Sequence, residues 1–176
     1  MELSAAQRER YERNLLVEGF TDRMQQALIA ARVAVVGAGG LGSAALNYLV
    51  AAGVGHLTLI ENDTVSLSNL QRQVLYTTAD MGRPKAEVAA MRLSRLNPGC
   101  DIRVVTDRLT AANAAGLLGG HDAVVDCTDN YDARYVIDLG QVARKRSLGG
   151  HVTARHQHHH GVLLAELVLD HKRVGA

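Results

Sequence analysis

The chain has 176 residues, 47% of them apolar, with 19 Lys and Arg against 18 Asp and Glu and a formal net charge of +1. That length and composition suit one globular domain and argue against disorder, while the near-zero charge removes any bulk electrostatic basis for holding nucleic acid or a membrane. No apolar run reaches the ~20 residues of a membrane span, residues 1–14 lack the apolar stretch of a secretory leader, and two isolated cysteines, Cys100 and Cys127, suit a reducing cytoplasm.

Ser4 with Gln7 forms a capping box that opens a first helix, with Tyr11 and Leu15 on one face and Arg8, Arg10 and Arg13 on the rest. Gly19 ends it. Thr21 starts a second helix, with Met24, Ala27, Leu28 and Ala31 at helical spacing. Four apolar residues, Val33 to Val36, then run as a strand into G-x-G-x-x-G at Gly37, Gly39 and Gly42. Gly37 permits a sharp turn, Gly39 lets a phosphate approach the backbone, and Gly42 lets the following helix pack close to the strand. The helix start offers free N–H groups to an anion. Gly40 and Leu41 complete this cradle. Alone, the motif serves a dinucleotide or a triphosphate equally well.

Gly53 and Gly55 close that helix, and residues 56–61 form a second strand ending on Glu61. An acid about twenty residues beyond the glycines accepts hydrogen bonds from ribose hydroxyls in nucleotide folds. A long polar connection, 62–73, follows at the sheet edge where such folds bind ligands. Lys85, directly after Pro84, falls in the first turn of a helix that runs to Leu96 and stops at Asn97-Pro98-Gly99. A cation there opposes the helix dipole unless an anion compensates. Residues 101–106 and 121–127 form the third and fourth strands, with a short helix over 110–118 between them. Asp129 at the fourth strand's end reads as a helix N-cap or as a magnesium ligand beside a phosphate, and Cys127 reads as core. A helix continues to about Arg146. The alternation predicts an α/β fold, doubly wound with a mostly parallel, Rossmann-like sheet, preceded by N-terminal helices over 1–31.

Residues 147–150 interrupt the place of a fifth strand, and no strand is recognisable over 147–160. Histidines crowd the end: His151, His156, His158, His159, His160 and His171. Such a run binds divalent metal or is a loop with adventitious affinity. Residues 162–169 are apolar enough for a terminal strand. The chain therefore divides into a nucleotide domain over 1–150 and a divergent His-rich segment over 151–176, partly disordered or ending in a strand.

The motifs together resemble the ThiF/MoeB/HesA family, adenylyltransferases that activate ubiquitin-like sulfur carriers and share their domain with ubiquitin-activating enzymes. The resemblance rests on Arg10-Tyr11-Glu12-Arg13, Gly37 to Gly42, Ser68-Asn69-Leu70-Gln71-Arg72-Gln73, Gly82-Arg83-Pro84-Lys85, Leu96-Asn97-Pro98 and Asp126-Cys127-Thr128-Asp129-Asn130. It implies that Glu61, Asp63, Asn69, Gln73 and Asn130 line an ATP site, that Arg72 and Lys85 hold phosphates, and that Asp129 binds Mg2+. It further implies that Arg13 reaches the neighbouring subunit's site in a homodimer. The implied reaction joins the C-terminal glycine carboxylate of a small carrier protein ending in Gly-Gly to AMP, releasing pyrophosphate. Bacterial members carry paired C-x-x-C zinc ligands further on, whereas this chain has none, so it reads as C-terminally short and without structural zinc. A nucleotide-binding member without turnover is the alternative reading. An NAD-dependent oxidoreductase domain ranks below both, since it has no use for Arg72, Lys85 and Asp129.

Overall fold

The computed structural model describes residues 2–129, 131–145 and 153–154. Ser4 caps α1 (Ala5–Arg10) as its side chain predicts: Ser4 Oγ accepts from the Gln7 N–H and the Ser4 N–H donates to Gln7 Oε1. The first helix is not continuous. It breaks at Tyr11 and resumes as α2 (Glu12–Leu15). Tyr11 is buried, and its hydroxyl accepts a hydrogen bond at 3.0 Å from Asn97 Nδ2, far along the chain. That docking, invisible to local periodicity, sets where the break falls. α3 (Asp22–Ala30) follows, capped by Thr21.

β1 (Arg32–Val36) is buried along all but its first residue, as a central parallel strand requires. Val33 and Val35 enter one core layer with Leu46, Leu57, Leu59 and Leu93. Ala34 and Val36 enter the other with Ile60, Leu118, Val124 and Ile137. Side chains alternate across a strand, so one apolar run feeds helical layers on both faces. α4 (Gly40–Ala52) leads to β2 (His56–Ile60), and α5 (Lys85–Leu96) leads to β3 (Asp101–Val105). α6 (Ala114–Leu118), β4 (Ala123–Asp126), α7 (Tyr131–Lys145) and the two-residue β5 (Thr153–Ala154) complete the order.

The sheet is parallel in the order β3-β2-β1-β4-β5. The strand order reverses between β1 and β4, where Val36 pairs with Asp126. Open α/β sheets bind ligands at such a switch point. Two further expectations are corrected. α6 starts at Ala114, later than expected, because Asn113 brackets the preceding turn: its Oδ1 accepts from the Thr110 N–H and its Nδ2 donates to the Arg108 carbonyl. A fifth strand does exist within 147–160, since Thr153–Ala154 pairs with Val124–Val125. Two residues are too few to show a period. Asn130, most of the His-rich run and the strand expected over 162–169 lie outside the described residues. Among the described residues, no helix is long and apolar enough to cross a membrane.

Candidate active site

A cleft of about 1100 Å³ opens at the C-terminal ends of β1, β2 and β4. Its floor is the glycine turn. Gly37 has φ +94°, and a Cβ there would sit 2.9 Å from the Cys127 carbonyl oxygen. A Cβ on Gly42 would sit 2.1 Å from the Gly37 carbonyl oxygen, so Gly42 is the contact that lets α4 close against the turn. Gly37, Gly39, Gly40 and Leu41 line the cleft, with Gly42 packed beneath. Gly39 at the N-cap of α4 supplies no side-chain cap, which leaves first-turn N–H groups for an anion.

The turn is held from three directions at Ala38. Its N–H donates to Glu61 Oε2 at 2.8 Å, and its carbonyl accepts from the Tyr76 hydroxyl at 2.9 Å and from Ser43 Oγ at 3.4 Å. Burial, reinforced by the Glu61 charge, pushes the Tyr76 hydroxyl well above its ordinary range, so it is a neutral donor. Glu61 Oε1 also accepts from the Asp63 N–H at 2.9 Å. The carboxylate is therefore fastened by two backbone amides while it lines the cleft.

The connection between β2 and α5 leaves and rejoins the sheet edge through a narrow neck. Thr64 bridges to Pro84, Val65 N–H donates to the Arg83 carbonyl, and Lys85 N–H donates to the Asp63 carbonyl. This neck brings Asp63, Asn69, Arg72 and Gln73 to the cleft beside Lys85. Arg72 lies along Gly40, its Cγ 3.3 Å from where a Cβ would be. Gln73 is buried beside Gly39, and its Oε1 has no hydrogen-bond partner among the described residues. Lys85 has a side chain only 4% exposed, and its Nζ lies 3.2 Å from Asp63 Oδ2. The anion that a first-turn lysine requires is thus already in the chain, which weakens the dipole-based case for an external ligand. Asp63, 67% exposed, is nonetheless open to solvent, so the ammonium sits at the cleft wall with one carboxylate for company.

On the opposite wall, Cys127, Thr128 and the exposed Asp129 follow β4. Burial, with the Asp126 charge, pushes the Cys127 thiol up to about 12. It is neutral at pH 7 and packs as core rather than acting as a nucleophile. Arg13 is exposed on α2 and does not line this cleft. Three charged residues without an expected role do line it: Arg108, Asp132 and Arg134. Arg134 is the fourth residue of α7, near its N-terminal end, and Arg108 follows β3 on the ligand-binding edge.

The residues present suit a magnesium nucleotide. Backbone N–H groups, Arg72 and Lys85 offer positive charge to phosphates, and Asp129 offers a hard oxygen donor. Among the described residues there is no cluster of three or more His, Cys, Asp or Glu able to hold a metal unaided. Mg2+ ordinarily takes one or two carboxylates together with substrate phosphates and water, which is the ligand set this cleft can offer.

The chain is 49% identical over 144 residues to the molybdopterin-synthase adenylyltransferase of Escherichia coli, covering 82% of this chain and 58% of that protein. It is 43% identical over 134 residues to the sulfur carrier protein ThiS adenylyltransferase of the same species, covering 76% of this chain and 53% of that protein. The chain therefore spans little more than half the length of these relatives. Among solved structures, E. coli tRNA N6-threonylcarbamoyladenosine dehydratase, TcdA, in complex with ATP superposes with a TM-score of 0.76 at 32% identity, covering 87% of this chain and 61% of that one. Residues 11–155 match the ThiF family, and with that match running from the Tyr11 break to just past β5, the chain belongs to it.

Proposed function

We propose that the chain binds ATP with Mg2+ on the glycine turn and adenylates the C-terminal glycine carboxylate of a small ubiquitin-like sulfur-carrier protein. The observation that carries this reading is convergence: the turn after β1, Arg72, Lys85 and Asp129 come from separate segments and meet in one cleft. A hydride-transfer site has no use for the last three. The resemblance to adenylyltransferases for molybdopterin synthase and ThiS supports a carrier protein as the acceptor.

In the proposed reaction a carboxylate oxygen of the carrier attacks the α-phosphorus. The new O–P bond forms as the α–β bridging bond breaks, and pyrophosphate leaves with the electron pair. No side-chain nucleophile is needed, so the protein's task is positioning and charge neutralisation. First-turn N–H groups of α4 and the Arg72 guanidinium hold the phosphates, Lys85 balances charge from its buried site, and Glu61 accepts from ribose hydroxyls. Asp129 would hold the magnesium ion, which supplies charge neutralisation on the phosphates when bound. Arg13, which does not line its own cleft, would complete the site of a second copy in a homodimer.

Carrier-dependent exchange of labelled pyrophosphate into ATP tests the reading. Arg72→Ala and Asp129→Ala should each lower exchange by about 10²–10³, the cost of removing one oriented charge donor in comparable sites, with thermal melting unchanged. Near-normal exchange in both variants would sink the site assignment. ATP binding without any exchange by the wild type would instead favour a nucleotide-binding protein without turnover.

A further inference from the structure

Arg134 lies in the first turn of α7, where a cation opposes the helix dipole, and its side chain is only 28% exposed. Its surroundings account for both facts. Arg134 Nη2 donates to the Thr128 carbonyl at 3.3 Å, and Nε lies 3.9 Å from Asp126 Oδ2. The other oxygen of Asp126 accepts from the Thr128 N–H at 2.9 Å and from Thr128 Oγ1 at 2.7 Å. The guanidinium also lies over the Tyr131 ring, 5.8 Å from its centroid. Thr128 is thus gripped at its N–H, hydroxyl and carbonyl by an acid at the end of β4 and a base on α7. The residue that this grip delivers into the cleft is Asp129.

From this we infer that Arg134 is a positioning residue for Asp129, orienting its carboxylate toward the divalent cation that accompanies the nucleotide. The inference rests on the reading of the cleft as a magnesium–ATP site. Arg134 acts through the Thr128 carbonyl, which fixes the peptide leading into Asp129. It also offsets the charge of Asp126, which would otherwise stand as a second, uncompensated carboxylate behind the first. Partners that orient a metal ligand in this manner change metal affinity by about 10- to 100-fold when removed. An isolated surface arginine would change it hardly at all.

ATP affinity of the full chain, measured by calorimetry with and without Mg2+, separates these roles. Wild type, Asp129→Asn, Arg134→Gln and Arg134→Lys are compared below their melting temperatures. Arg134→Gln should lose about 10-fold in ATP affinity at saturating Mg2+, follow Asp129→Asn in this, and keep the wild-type affinity in EDTA. Arg134→Lys restores the charge opposite Asp126 and should recover part of the loss. If Arg134→Gln does not stay folded, the lysine variant carries the comparison through its intermediate magnesium dependence. Equal losses with and without Mg2+ overturn the inference, because Arg134 would then touch the nucleotide or support the cleft generally. An unchanged magnesium gain in both Arg134 variants overturns it as well. Wild type that binds ATP identically in Mg2+ and EDTA overturns it while leaving the nucleotide site standing, and wild type that binds no ATP overturns the underlying reading itself.

Discussion

Two buried amides, one at each end of the sheet, behave in opposite ways. Asn97, at the end of α5, is 1% exposed. Its Nδ2 donates to the Tyr11 hydroxyl and to the Val50 carbonyl, and its Oδ1 accepts from the Gly99 N–H. Gln73, beneath the glycine turn, is 4% exposed, and its Oε1 has no partner among the described residues. Both belong to motifs that look equally characteristic in the sequence. The saturated amide fastens the N-terminal helices to the body of the fold, helped by Arg10, which donates to the Leu96 carbonyl. The unsaturated one leaves a hydrogen-bonding capacity unused at the wall of the cleft that Gln73 lines. Burial alone therefore does not separate structural from functional polar residues; the completeness of their hydrogen bonding does.

The contrast breaks most visibly at Asn97. Asn97→Ala leaves the Val50 carbonyl and the Tyr11 hydroxyl short of a buried donor, and unfolding free energy should fall by about 1–3 kcal/mol, read by urea denaturation. Nucleotide affinity of the folded protein should hold; a parallel loss of affinity would erase the distinction between the two ends.

Asp80 tests the same idea with a charge. Burial pushes its carboxyl up, but hydrogen bonds from Thr77 and the charges of Arg92 and Arg83 outweigh it and hold the carboxyl below the ordinary carboxylate range. A lowered native pKa means that its contribution is fully present above the unfolded value of about 4. That contribution disappears as pH falls through the native value. Melting temperature followed from neutral pH into acid should show this loss, and Asp80→Asn should flatten the curve. An equally steep acid limb in the variant would place the pH dependence elsewhere. The smallest effect belongs to Gln73→Leu. Its stability should change by less than about 1 kcal/mol, since the buried oxygen it removes has no partner among the described residues and leucine keeps the apolar part of the side chain. ATP affinity should fall roughly three- to tenfold, the worth of one hydrogen bond. Unchanged affinity would make Gln73 a packing residue like its neighbours.

The sheet was legible because Val33 to Val36 are apolar without interruption and Leu57 to Ile60 are broken only by Thr58, as strands covered on both faces must nearly be. The helix starts at Ser4 and Thr21 were legible from their caps. What escaped was set by contacts distant in sequence. The break at Tyr11 depends on Asn97, and the counterion of Lys85 is Asp63, across the whole connecting lobe. The sequence assigns no role to Arg108 or Arg134, because a place on a helix or after a strand does not by itself show that a side chain reaches the cleft both line. The role of Arg134 emerges only once β4 and α7 bring Asp126 and Thr128 to it.

The tether between Glu61 and the amides of Ala38 and Asp63 has a thermodynamic consequence for any hydroxyl-bearing ligand that enters the cleft. A free glutamate loses up to about 2 kcal/mol of rotamer freedom when it is immobilised. Here that loss falls on folding, not on association, because the carboxylate is already fixed before a ligand arrives. The remaining lone pairs face an incoming hydroxyl without a search, and selectivity follows from geometry alone: a ligand whose hydroxyls miss that fixed position cannot draw the acid toward itself without first detaching it from the glycine turn.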